Sequence, residues 1–97
     1  MQVKTFKMAL CEGRHDIPEA VDGSVFGFEI DPLHPEKLEE DAAAKIHDLG
    51  IKKLDLYVTG LSVALVAVIN AAKLTGVELV LYHYDKNSDT YYTQNLR

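Results

Sequence analysis

The chain has a single cysteine, Cys11, in 97 residues. No intrachain disulfide can form, and a reducing compartment suits that usage. Basic residues are also scarce, with 10 Lys and Arg against 15 Asp and Glu, a formal net charge of -5 and a pI of about 5.2. That balance argues against binding to duplex DNA or bulk RNA, which requires a basic face. It leaves room for a small anion, because a few backbone N–H groups and one Arg can hold a phosphate inside an acidic protein.

Long apolar runs are missing as well. VALVAVINAA falls well short of the roughly 20 residues of a membrane span. The apolar run in MQVKTFKMALCEGRH is too short for a secretory signal, so the expectation is a soluble, cytoplasmic protein. There are no internal repeats or low-complexity tracts. Neither a Gly-x-x-x-x-Gly-Lys-Ser/Thr loop nor a Gly-x-Gly-x-x-Gly fingerprint occurs. One Cys with scattered His, among them His34 and His47 on or beside the first helical segment, gives no zinc pattern. No metal and no cofactor are therefore expected.

What is present reads as one folded α/β domain. Hydrophobic residues make up 47% of the chain, too many for disorder. A domain of this length buries about two-thirds of its unfolded surface, so its core is modest. Residues 3–11 have the β-branched and apolar mix of a strand ending at Glu12-Gly13. A loop-rich stretch follows, with a turn at Asp22-Gly23 and a possible short strand over 24–30. Pro35 suits a first helical turn, with His34 or Asp31 near the cap. Leu38, Ala42, Ile46 and Leu49 form one apolar stripe, and Gly50 is a helix stop, which predicts a helix over 35–49. Strands follow over 53–59 and 77–82, separated by a helix from 61 or 62 to 74. Thr90 to Gln94 is expected to return as an antiparallel edge strand after the turn at 85–89.

Strand, helix, strand, helix, strand predicts a small Rossmann-like fold: three parallel strands with two right-handed helical crossovers, plus edge strands from the C-terminal hairpin. In such sheets ligands bind outside the carboxyl ends of the strands. That rule selects Arg14 and His15 after the first strand, Thr59, Gly60, Leu61 and Ser62 after the second, and His83 and Asp85 after the third. Helix N-termini carry unpaired N–H groups and a positive partial charge. Gly60 would admit close approach of a ligand, and Thr59 and Ser62 would add hydroxyl donors, making an anion nest. Ordinary capping by Thr59 or Ser62 is the competing explanation. Arg14 could hold a phosphate bidentately and His15 could shuttle a proton, or both could sit in a solvated loop. A His late in an apolar strand, such as His83, is more often a packed core or edge residue. Cys11 reads as a small buried hydrophobe, or as a nucleophile if His15 activates it. The tyrosines at 82, 84, 91 and 92 could stack on bases, or belong to an edge strand or an interface.

The second helical segment has few polar residues. Val63, Leu65, Val66, Val68 and Ile69 cover most of its circumference, with alanines between. A helix apolar all round is buried on all sides, so a partner copy is expected on the side away from the sheet, making a homodimer or higher oligomer. Cover from the tail hairpin is the alternative.

Residues 52–85, with the Thr-Gly-x-Ser turn opening a helix after a central strand, resemble CARF-type domains and the small CRISPR-associated ring-nuclease families related to them. Those families form dimers in antiviral defence and bind cyclic oligoadenylate across the two-fold axis. The resemblance implies that Thr59, Gly60 and Ser62 contact phosphate and that Arg14 or His15 assists binding or cleavage. The tail LYHYDKNSDTYYTQ has no counterpart in it. The expected function is a homodimeric binder of a nucleotide-like anion, with or without slow metal-independent cleavage. The alternative is a non-enzymatic interaction module built on the apolar helix and the tyrosine-rich tail.

Overall fold

The computed structural model describes residues 4–12, 17–27, 29–59 and 61–96. Seven elements run in the order β1 (Thr5–Cys11), β2 (Ser24–Phe26), α1 (Pro35–Leu49), β3 (Lys53–Tyr57), α2 (Ser62–Thr75), β4 (Glu78–Asp85) and β5 (Thr90–Leu96). They build one five-stranded sheet ordered β2-β1-β3-β4-β5. The first four strands in that order are parallel, and β5 pairs antiparallel with β4. This is a small Rossmann-like α/β architecture. The parallel set has one more strand than the sequence pattern requires, because Ser24–Phe26 joins it beside β1.

The chain crosses from β2 over β1 to β3, and then from β3 to β4. Both crossovers move in the same direction across the sheet, and α1 packs against α2. The helices therefore share one face, as two crossovers of one hand require. Pleat alternation sends Met8, Leu10, Leu54, Leu56, Leu79 and Leu81 towards the helices, and all are buried. Each such leucine removed from water contributes roughly 1.5–3 kcal/mol. Across from them α1 contributes Leu38, Ala42 and Ile46, while α2 contributes Ala64, Ala67, Val68, Ala71 and Ala72. Leu49, at the end of the predicted stripe, is 43% exposed.

The small residues of α2 explain how so apolar a helix is accommodated. Its alanines permit close approach of the sheet on one side and of α1 on the other, so α1 supplies cover that the sequence pattern assigned to a partner copy or the tail. Asn70 Nδ2 donates to Glu39 Oε2 at 3.3 Å across the two helices. Val66 and Leu74 remain exposed on the outer side. Both helices end on a glycine in the left-handed region, Gly50 at φ 65° and Gly76 at φ 73°, where a side chain would be strained.

The other sheet face is polar towards the amino end and aromatic towards the carboxyl end. Register sets Lys53 beside Glu78, with 3.6 Å between Lys53 Nζ and Glu78 Oε2. Asp22 ties down the link between β1 and β2. Its carboxylate accepts from the Lys7 N–H and from Lys4 Nζ, both at 2.9 Å. Chiefly the Lys7 N–H, and then Lys4, hold its pKa below the ordinary carboxylate value. Among the described residues, no helix is long and apolar enough to cross a membrane.

Candidate functional site

The carboxyl ends of β1, β3 and β4 lie along one rim of the sheet. At the centre of that rim β3 hands over to α2. Val58 keeps the sheet pairing, since its N–H donates to the Tyr82 carbonyl at 3.0 Å. Thr59 follows and is 5% exposed. Its Oγ1 is buried, and among the described residues it is the buried side-chain polar atom without a hydrogen-bond partner. A buried hydroxyl left in this state costs roughly 1–3 kcal/mol, so it calls for a reason.

Two residues on, α2 begins without a cap. The N-cap residue is Leu61, no side chain caps the helix, and the first turn contains no acidic residue. Among the described residues, the first intrahelical bond runs from the Leu65 N–H to the Leu61 carbonyl at 3.1 Å, and the N–H groups of Ser62 and Val63 lie in the turn before it. Ordinary capping by Thr59 or Ser62, the competing explanation for this turn, does not occur. The Leu61 N–H is engaged with the Thr59 carbonyl at 2.7 Å and is not available to a ligand. Leu61 itself packs half-buried against the core, while Ser62 is exposed.

His83 lies inside β4, not in a loop beyond it, because the hairpin carries β4 on to Asp85. It follows Tyr82, the residue bonded to Val58, so register sets it beside the end of β3 on the helix-bearing face. Its ring stacks on Tyr92, with centroids 5.2 Å apart, and Nε2 lies 3.0 Å from Gln94 Oε1. With Gln94 accepting, the ring proton sits on Nε2 and Nδ1 is an acceptor. His83 is thus oriented by β5, at the level of the rim.

Arg14, His15 and Gly60, three of the residues singled out from the sequence, lie outside the described residues. Cys11 is buried at the end of β1, paired in register with Phe26. Asp85 shapes the hairpin instead of the rim: its carboxylate accepts from the Asn87 N–H and the Ser88 hydroxyl. Among the described residues, no cluster of His, Cys, Asp and Glu could hold a metal ion.

Sequence reasoning missed Tyr57. It is buried at the centre of the aromatic half of the open face, stacked on Tyr82 at 4.6 Å and met edge-on by Tyr91 at 5.1 Å. Tyr84 meets Tyr91 from the side, and the Tyr82 hydroxyl donates to Asp55 at 3.3 Å. Burial raises the pKa of the Tyr57 phenol above its ordinary value, helped by Tyr82 and Asp55 nearby. The period-2 pattern held a usable signal, because Tyr57 and Tyr82 fall at matching places in adjacent strands. Tyr92 points to the other face and belongs with His83.

A groove of about 660 Å³ opens elsewhere. It lies at the amino end of β4, bounded by Ile69 and Lys73 of α2 and by Leu79 and Leu96 of the sheet. Groove size and backbone chemistry therefore favour opposite rims. The carboxyl rim has the start of α2 and the orphaned Thr59 hydroxyl, whereas the groove is mainly an uncovered stretch of sheet. Comparison with family models, with curated proteins and with solved structures returned no match.

Proposed function

We propose that the protein is a homodimeric binder of a small nucleotide-like anion, with the start of α2 as its phosphate subsite. The observation that carries this reading is the orphaned Thr59 hydroxyl, buried at the carboxyl rim immediately before a helix that starts without a cap. A phosphate oxygen would accept from the N–H groups of Ser62 and Val63 and from the Ser62 hydroxyl, with the positive end of the helix dipole behind them. Thr59 Oγ1 would gain the partner it lacks. The resemblance to cyclic-oligonucleotide binders puts cyclic oligoadenylates first among the ligands to try.

Turnover of such a ligand would follow in-line attack. A ribose 2′-hydroxyl bonds to the adjacent phosphorus, the bond to the 5′-oxygen breaks, and a proton passes from one oxygen to the other. His83, oriented by Gln94, is the described residue suited to move that proton, His15 is the further candidate, and Arg14 would hold the phosphate by its charge.

Calorimetry and product chromatography against cyclic and linear nucleotides test the proposal. Micromolar binding to at least one of them, lost in Ser62→Glu, is expected. Failure to bind every member of the panel would overturn it. The reading as an interaction module draws on the exposed Val66 and Leu74 of α2. It predicts that Val66→Glu abolishes self-association while the panel gives no heat.

A further inference from the structure

The two edges of the sheet are built differently. β2 is three residues long and sits between the turn at Asp22-Gly23 and Gly27, a short edge of the kind that does not template further pairing. At the other edge β5 runs for seven residues, TYYTQNL. It has no proline, no glycine and no charged side chain, and β4 occupies one side only. Five of its seven residues are exposed. Edges usually carry Lys, Pro or a bulge that blocks pairing with another chain. This one has none of them, in a protein whose net charge is -5.

We infer that β5 pairs antiparallel with β5 of a second copy, around a two-fold axis through Thr93. The inference rests on the homodimer of the reading above and supplies its contact. Charge selects the occupant. Two copies of an acidic chain repel each other over most of their surfaces, and β5 is a segment where they can meet with no like charges opposed. The strand is also self-complementary about its centre. Antiparallel pairing around Thr93 sets Tyr92 opposite Gln94 of the second copy on the helix-bearing face, and Tyr91 opposite Asn95 on the other. Opposed residues in an antiparallel ladder share a face, and the register with β4 places these residues accordingly. An aromatic ring thus meets an amide four times across the axis. The groove of about 660 Å³ runs beside the same strand, with Leu96 and Asn95 in its wall and Ile69 of α2 facing them. The pairing would therefore bring apolar surface as well as backbone hydrogen bonds to the contact, which a stable interface of about 1,200–2,000 Å² needs.

Thr93 is exposed and lies opposite Tyr82 in the intrachain ladder, so its side chain can be changed without disturbing the core. Light scattering on the full chain, across a dilution series, reads the association. Wild type is expected to be dimeric at micromolar concentration. Thr93→Lys and Thr93→Glu each place like charges across the axis and should weaken the dimer at least ~10-fold. Mixing the two variants should restore it, as a heterodimer. Cooperative thermal melting and an unchanged far-UV circular dichroism spectrum confirm that both variants fold. A wild type that stays monomeric overturns the inference. So does a dimer that ignores Thr93→Lys, or one lost in Val66→Glu and in neither Thr93 variant. Anion binding measured on the same samples separates the two proposals. Binding absent throughout, with association still following the charge at position 93, removes the ligand and leaves the contact.

Discussion

At the start of α1, Asp31 accepts from the Leu33 N–H at 2.9 Å and pairs with His34 Nδ1 at 2.5 Å. Pro35 occupies the first turn, where a missing N–H costs nothing, and Glu36 adds a negative charge against the dipole. At the start of α2 none of these devices is present, and a buried hydroxyl beside it has no partner. Both helices belong to one sheet face and one core. No side chain caps either helix, but α1 has a proline, an acidic residue and an Asp31 turn at its start, and α2 has none of the three. That difference, at the rim where parallel sheets bind ligands, is what the proposed anion site builds on.

Four measurements test that contrast. The largest effect is expected from Thr59→Val, which keeps the shape and removes the orphaned hydroxyl. Unliganded protein should gain about 1–3 kcal/mol, read as a rise of roughly 4–8 °C in Tm for each kcal/mol, while anion affinity falls. A loss of stability would show that the hydroxyl has a structural partner and would end the contrast. Ser62→Glu comes next. It gives α2 the acidic first turn that α1 already has, so stability should rise by about 0.3–1 kcal/mol as anion binding disappears. Denaturant titration with and without ligand separates the two effects.

Glu36→Gln runs the comparison in reverse. Removing the acid from α1 should cost at most about 0.3–1 kcal/mol and leave anion binding unchanged. The smallest effect is a titration. The Leu33 N–H, and then His34, hold Asp31 below its usual value near 3.8. A depressed folded-state pKa contributes stability that is full above the unfolded value and lost as pH falls through the folded one. Below about pH 3.8 the Leu33 amide should therefore lose protection from hydrogen exchange, while the amides of Ser62 and Val63 do not change with it.

The local pattern made much of the fold legible. Pro35 and Gly50 bracket α1 as expected, and the alternation of Leu54, Leu56, Leu79 and Leu81 marks two buried half-faces. Those features depend on residues within a turn or two of one another, where spacing and backbone preference suffice. Other features required contacts distant in sequence. The short strand expected over 24–30 is confined to 24–26, where β1 offers it an edge. β4 outruns its expected end because β5 pairs with it as far as Asp85 and Thr90. His83 consequently became an oriented strand residue and not a loop residue. The sequence marked Thr59 and Ser62 as candidates from topology, yet it did not show whether either of them caps α2.

By itself the sequence determined the element order, the parallel crossovers and the rim that gathers Thr59, Leu61, Ser62 and His83, because periodicity and turn residues act locally. Tertiary structure alone decided that α1 covers α2, that Tyr57 and not Tyr92 completes the aromatic cluster, and that Thr59 is buried without a partner. Each of those depends on which surfaces meet across the fold, and on whether a polar group removed from water finds another to replace it.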